Sequence, residues 1–207
     1  LFAKEKDLGQ INTFAFEDST FFYQFKEPFL AGNTTDAINI VNHSEKSIWG
    51  VYDDERRSTW HISRKVTEIA NLVTELKKEF NGIKGLNQII QWYSDRAYLL
   101  DTYHREMEKE VQTTISLSSD LTAVCDYTRK LYSDFMDKVQ KKFQASLIEE
   151  GFQSISAIKN LDLFDAKIKP LVKEGKKTVF ILADALRFEL AKALSNRLER
   201  ANFKCDL

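Results

Sequence analysis

The residues of this sequence whose types and spacing could do chemistry lie in one short stretch. Residues 178–182 read Thr-Val-Phe-Ile-Leu, a continuous apolar run, and Ala183 and Asp184 follow it directly. An uninterrupted apolar run rich in β-formers predicts a strand buried on both faces, as in the centre of a parallel sheet. Ligands bind at the carboxyl ends of such strands. A carboxylate at that position can bind a hard or borderline metal ion through oxygen.

A helix is predicted directly after this carboxylate, from residue 185 to about residue 201. Its positive amino end would face the same crevice, which suits a phosphate or a metal-bound oxyanion. Arg187 lies in the first turn and is placed to pair with a carboxylate or a phosphate. Asp is also a preferred N-cap residue, so spacing alone leaves open whether Asp184 binds a metal or caps the helix. The leucines of the expected buried stripe are Leu186, Leu190, Leu194 and Leu198.

The sequence shows no other catalytic or metal-binding pattern. His43, His61 and His104 fall on different segments and have no HExxH spacing. Cys125 and Cys205 form no CxxC pair, which excludes a structural zinc finger, and Cys125 is expected to be a small buried filler. Neither a Walker loop nor a GxGxxG motif occurs, so nothing in the sequence indicates nucleotide binding.

Composition limits the class of protein. The 207 residues include 30 Lys and Arg against 31 Asp and Glu, a net charge of −1, which argues against a general polyanion binder. With only 7 Gly and 2 Pro, long helices are expected and an all-β fold is not. We find neither a secretory signal nor an apolar run long enough for a membrane span. Because the chain begins at Leu1 and residues 203–207 resemble the start of another strand, we expect a piece of a longer protein.

Three long amphipathic helices are predicted in the middle of the chain, where apolar residues recur at spacings of three and four. Asn81 and Gly82 are expected to end the first helix as a left-handed cap, and residues 118–120 to begin the third. Short connections make the three helices antiparallel neighbours. The stripes are Ile62, Val66, Ile69, Val73, Leu76 and Phe80; Leu86, Ile89, Ile90, Tyr93, Ala97, Leu100, Met107 and Val111; and Leu121, Val124, Thr128, Leu131, Phe135, Val139 and Phe143.

The predicted fold class is mainly α: a long-helix bundle followed by the first strand-helix unit of a truncated α/β domain. Residues 1–36 form a mixed N-terminal segment, residues 37–175 a helical domain, and residues 176–207 the α/β start. Within the helical domain, a short helix to about residue 43 follows the cap candidates at residues 33–36. Another short helix runs from Asp162, its expected cap, to about residue 173, and Pro170 would kink or shorten it.

The motif around Asp184 resembles the opening motif of the PglZ domain. Residues 183–189 read Ala-Asp-Ala-Leu-Arg-Phe-Glu, and the family pattern is an apolar strand followed by Ser-Asp-Ala-Leu-Arg-Tyr-Glu. Two positions depart from it, since Ala183 replaces Ser and Phe188 replaces Tyr, and each loses a hydroxyl. The helical region before that domain is matched more loosely by residues 47–49, by Asp101, Tyr103 and Arg105, and by residues 131–143.

The resemblance implies a function and its components. PglZ proteins belong to the alkaline phosphatase superfamily and to the bacterial BREX phage-exclusion system, so a cytoplasmic phosphohydrolase or nuclease is expected. Asp184 would be one ligand of a two-metal site, with zinc as the expected metal. The other ligands and the nucleophile would come from later strands, so no catalytic residue and no bound cofactor is expected within these residues.

The resemblance also implies partners for the longer protein, namely other BREX proteins and DNA, and no membrane. The segment considered alone is expected to be an inactive helical scaffold. A competing interpretation is a non-catalytic helical module for protein–protein interaction, whose last strand and helix pack on the bundle. Further Asp and His residues at the ends of later strands would favour the enzyme over the module.

Overall fold

The computed structural model of this protein describes residues 15–205 and is mainly helical, as predicted. The chain divides into two compact units, Leu1–Gly82 with Leu99–Lys141 and Ile83–Tyr98 with Lys142–Leu207. These contact-based units differ in their boundaries from the three segments predicted from sequence, which stay a prediction. The helices are α1 Ala15–Leu30, α2 Thr34–Ser44, α3 Trp49–Tyr52, α4 Asp54–Gly82, α5 Leu86–Trp92, α6 Tyr98–Thr113, α7 Ser119–Glu150, α8 Asn160–Leu163, α9 Lys169–Lys173 and α10 Phe188–Arg200.

The core of the first unit is built on α4. All six residues of the stripe predicted for this helix are buried, which confirms the first of the three predicted helices. Trp60, two residues before this stripe, packs edge-on against Phe22 and Phe25 of α1. Its indole Nε1 donates a hydrogen bond to Asp18 Oδ1 at 3.1 Å, so this buried carboxylate keeps a donor. Burial nevertheless raises the pKa of Asp18 above the ordinary value of 3.8.

Charged and hydroxyl groups fix the pairing of α6 with α7. The guanidinium of Arg129 donates to both carboxylate oxygens of Glu108, at 2.7 and 2.9 Å. Further along the same two helices, the hydroxyl of Tyr132 donates a hydrogen bond to buried Asp101 at 2.6 Å. The ring of Tyr132 stacks on that of His104, with the ring centroids 4.0 Å apart. Residue numbers rise on α7 as they fall on α6, so the two helices are antiparallel, as predicted.

Two predicted helix starts are confirmed by side-chain caps, whereas one predicted helix end differs. Asn33 accepts a hydrogen bond from the backbone N–H of Asp36 at the start of α2, and Ser118 accepts one from Leu121 at the start of α7. Helix α4 ends at Gly82 as expected, but the predicted left-handed conformation is wrong for that residue. The glycine with positive φ in this connection is Gly85, at +79°.

The second unit begins with a capping contact between distant parts of the chain. Glu150, the last residue of α7, accepts a hydrogen bond from the N–H of Leu86 at 2.7 Å and so caps the start of α5. A Cβ on Gly85 would lie 3.2 Å from Glu150 Oε1, which adds to the reasons for glycine there. The side chain of Asn87 donates a hydrogen bond to the carbonyl oxygen of Ser154 and accepts one from the N–H of Ser156. These bonds hold the chain that follows α7 against α5.

Several expected helices need correction. The second long helix is interrupted by a π-helical turn, Tyr93–Ala97, which separates α5 from α6. The predicted helix from Asp162 begins earlier, at Asn160, and a second π turn, Phe164–Ile168, breaks it before α9. Asp162 is therefore not its cap.

The N-terminal segment, residues 1–36, was predicted to be mixed. Within it, α1 occupies Ala15–Leu30, while residues 1–14 lie outside the described part.

The expected strand at residues 178–182 is not formed. No strand occurs between residues 15 and 205, and a lone apolar run has no neighbouring strand to supply ladder hydrogen bonds. Val179, Ile181 and Leu182 are 82, 81 and 82% exposed. Helix α10 follows at Phe188, three residues later than predicted, and Asn202 ends it with φ of +65°. Among the described helices, none combines the length and apolar character needed to cross a membrane.

We predict that Glu150→Ala lowers the free energy of unfolding by about 1 kcal/mol, because the start of α5 loses its side-chain acceptor. Urea denaturation followed by circular dichroism measures this change. Glu150→Gln keeps a carbonyl acceptor and should lose less. Glu149→Ala removes an exposed neighbouring carboxylate and serves as the matched control. Equal losses in the Glu149 and Glu150 variants would contradict the capping role.

The pairing of α6 with α7 predicts an acid dependence. The hydrogen bonds from Arg129 lower the pKa of Glu108 below 4.5, so this pair stabilises the fold above pH 4.5 and the contribution is lost as pH falls through the folded-state pKa. Glu108→Gln should cost about 1 kcal/mol near neutral pH and flatten the loss of stability in acid. Urea midpoints measured across that range test this. Glu110→Gln, on the same helix, should keep the wild-type slope.

Candidate functional site

The predicted metal ligand lies at an exposed turn. Asp184 and Ala185 form this turn between the extended apolar run and α10, and the side chain of Asp184 is open to solvent. Ala185 has φ of +52°, a left-handed conformation that costs a residue with a Cβ about 1 kcal/mol. The chain thus reverses direction at a strained residue directly after the carboxylate. Backbone strain of this kind is concentrated at functional sites.

The residue at the N-cap position of α10 is Arg187, so Asp184 does not cap this helix. Arg187 has an extended conformation, φ −69° and ψ 152°, and makes no side-chain cap bond. Its carbonyl oxygen accepts from the N–H groups of Leu190 and Ala191, each at 3.0 Å. The cap alternative that spacing left open is therefore not realised, and the carboxylate of Asp184 is not committed to the helix.

Two tyrosines anchor the first helical residue. The ring of Phe188 lies 6.1 Å from that of Tyr93 and 5.6 Å from that of Tyr98. In an α-helix, residues five apart would point about 140° away from each other. Here the N–H of Tyr98 bonds to the carbonyl of Tyr93, a π-helical step, which brings the two rings to one side. Phe188 thus contacts both tyrosine rings.

A buried carboxylate lies one residue further along. Glu189 is 0% exposed in the first turn of α10, and Arg187 Nε lies 3.0 Å from its Oε1. Neither carboxylate oxygen has a partner with hydrogen-bond geometry among the described residues, so this contact is a charge pair rather than a directed hydrogen bond. The amino end of the helix adds favourable potential for the negative charge. Arg187 thus pairs with Glu189 of the same turn, while its predicted role at a binding site stays a prediction.

The described residues meet the requirements of a metal site only in part. Asp184 offers exposed carboxylate oxygens, which hard and borderline cations accept. Within the described residues, no three His, Cys, Asp or Glu side chains form a group that could hold a metal ion. A catalytic metal needs about three protein ligands, so Asp184 would require further ligands from elsewhere.

The remaining reactive side chains offer no competing site. Cys125 is fully buried, as expected, and burial raises the pKa of its thiol to about 11, so it is not a thiolate at neutral pH. His61 lines an open cleft of the first unit in which the cations are already neutralised. There, Arg64 pairs with Glu45, and Lys65 pairs with Glu68 and Glu106.

Sequence reasoning singled out Asp184 and Arg187 but missed two features that position them. Nothing in the sequence indicates the positive φ of Ala185, because alanine rarely adopts that conformation. The burial of Glu189 was hidden because glutamate in a first helical turn is normally exposed. The only available signal was the combination of Arg and Glu two positions apart in the motif.

Comparison of the chain with protein-family models, with curated proteins and with solved structures gives no match in any of the three. The resemblance to the PglZ domain therefore stays a prediction. The arrangement of residues 184–189 is what any assignment of function has to explain.

We predict that Ala185→Val lowers the free energy of unfolding by about 1 kcal/mol or more, because a β-branched residue is strained further at positive φ. Ala185→Gly should not lower it, since glycine adopts this conformation freely. Ala183→Val, two residues earlier and exposed, is the control and should leave the urea midpoint nearly unchanged. Equal effects at positions 183 and 185 would contradict the strained turn.

Proposed function

We propose that this chain is part of a PglZ-type metal-dependent phosphohydrolase or nuclease of the bacterial BREX phage-exclusion system, acting in the cytoplasm. The observation that carries the proposal is a carboxylate and a guanidinium at one turn. Asp184 is exposed directly after an apolar run, and Arg187 follows at the start of a helix. Both match the family motif residue by residue. Their exposure leaves them accessible to a phosphorylated substrate.

In this proposal, Asp184 is one ligand of a two-metal site and zinc is the expected metal. Bound metal ions would stabilise the charge on the attacking and leaving oxygens of a phosphoryl group. Arg187 would bind a phosphate oxygen, for which a planar guanidinium is well suited. The remaining ligands and the nucleophile would come from outside the described residues, so these residues alone would not hydrolyse a phosphate ester.

The exposed apolar run supports a larger α/β domain. Val179, Ile181 and Leu182 are each more than four-fifths exposed, and alternate residues of an extended chain point in opposite directions. Apolar side chains on both sides of one segment need a cover on both faces. In the longer protein, we expect residues 178–182 to become a strand between two further strands.

The helical part would serve as the scaffold of the enzyme. In the first unit, antiparallel helices bury a continuous core and leave lysines such as Lys138 and Lys141 exposed. We propose that this surface docks other BREX proteins or DNA. Such a role needs no reactive residue.

A second candidate is a helical protein–protein interaction module without catalysis. It is favoured by the large apolar side chains that the second unit exposes, because exposed apolar surface is typical of interaction sites. This candidate requires no metal, so metal content separates the two. Five of these exposed side chains are Phe152, Leu161, Phe164, Val172 and Phe203.

We predict that Asp184→Asn in the full-length protein removes at least one equivalent of bound zinc and lowers hydrolysis of bis(4-nitrophenyl) phosphate by about 100-fold or more, because a metal ligand is lost. Zinc is measured by atomic absorption after dialysis, and hydrolysis by release of nitrophenolate. Asp162→Asn removes a second exposed carboxylate of the same unit and should change neither quantity.

Two results would reject the enzymatic proposal. One is unchanged zinc content and hydrolysis in Asp184→Asn. The other is a wild-type protein that binds no zinc and hydrolyses no phosphodiester, which would leave the interaction module as the better account.

A further inference from the structure

We propose that Glu189 is a positioning residue, which holds the guanidinium of Arg187 in the orientation that receives a phosphate oxygen beside Asp184. The identity of the anion rests on the proposed function. The positioning itself rests on the buried charge pair at the start of α10.

Stability does not explain a carboxylate at position 189. The side chain is 0% exposed, and neither oxygen has a hydrogen-bond partner among the described residues. Transfer of a carboxylate from water to such a place is costly, and an apolar or neutral side chain of similar size is often at least as stable. A charge kept under these conditions points to a role other than folding.

The contact of Glu189 connects the interior to the surface. Its Oε1 lies 3.0 Å from Nε of Arg187, and the side chain of Arg187 is 60% exposed. A carboxylate that attracts the inner edge of a guanidinium restricts the rotation of the whole planar group. The outer edge of Arg187 is then oriented from below by a charge that is itself buried.

The backbone on both sides of the pair is already fixed. The carbonyl oxygen of Arg187 accepts two hydrogen bonds from α10, and Phe188 packs between Tyr93 and Tyr98. With both Cα atoms in place, the contact of Glu189 with Nε bears on the orientation of the Arg187 side chain. A site that binds a ligand with little reorganisation needs such support.

The kinetic test uses the zinc-loaded full-length protein and bis(4-nitrophenyl) phosphate. Glu189→Gln should raise KM about 10-fold and leave kcat within about 2-fold, because binding is weakened while the metal chemistry is kept. Arg187→Gln should have a similar effect. The double variant should be no worse than Arg187→Gln alone, since Glu189 acts only through Arg187. Glu199→Gln, on an exposed part of the same helix, is the control.

A second measurement is independent of hydrolysis. The heteronuclear NOE of the Arg187 Nε–H resonance in nitrogen-15 NMR should be high in the wild type and lower in Glu189→Gln, because the charge pair restricts the motion of the side chain. The urea midpoint of Glu189→Gln should be equal to or higher than that of the wild type, which a residue kept for stability would not show.

The positioning role of Glu189 and the proposed hydrolase function fail in different ways. An unchanged heteronuclear NOE of Arg187 in Glu189→Gln, or additive kinetic losses in the double variant, overturns the positioning role. If the wild type has no zinc-dependent hydrolysis but the NOE depends on Glu189, the positioning role is supported and only the proposed reaction fails.

Discussion

A carboxylate that is shielded from solvent and has no directed hydrogen bond within residues 15–205 determines how the candidate site is built. Glu189 is held in the first turn of α10, and its charge is balanced by Arg187 and by the amino end of the helix. A buried charge can move only a little before it loses that balance. The guanidinium above it is constrained in turn. The site therefore depends on one charge pair more than on its exposed residues.

The apolar run before the turn at Asp184 has the opposite property, because most of its side chains are exposed. Three of its side chains are more than 80% exposed, although the same residues would be typical of a buried strand. An anchored helix start thus follows a segment whose apolar side chains are exposed. This contrast is expected when a sheet is completed by other parts of a protein, and it connects the exposed run to the proposed function.

The sequence predicted elements that depend on local patterns. The stripe from Ile62 to Phe80 identified α4, and the side chains of Asn33 and Ser118 identified helix starts, because periodicity and capping act over a few residues. The π turn at Tyr93–Ala97 was missed, and the ring that its tyrosines contact, Phe188, is distant in sequence. The strand at residues 178–182 was predicted from side chains alone, whereas a strand also needs a partner. At the site, residue types identified Asp184 and Arg187 but carried no information on the burial of Glu189.

The most direct test of the central claim is an anomalous difference map at the zinc edge, from crystals of the full-length protein. The account predicts a zinc peak at about 2.0–2.2 Å from a carboxylate oxygen of Asp184. Residues 178–182 should be paired with other strands in the same crystals. A map with no peak near Asp184, or with zinc bound only elsewhere, would contradict the assignment of this turn as the start of a phosphohydrolase site.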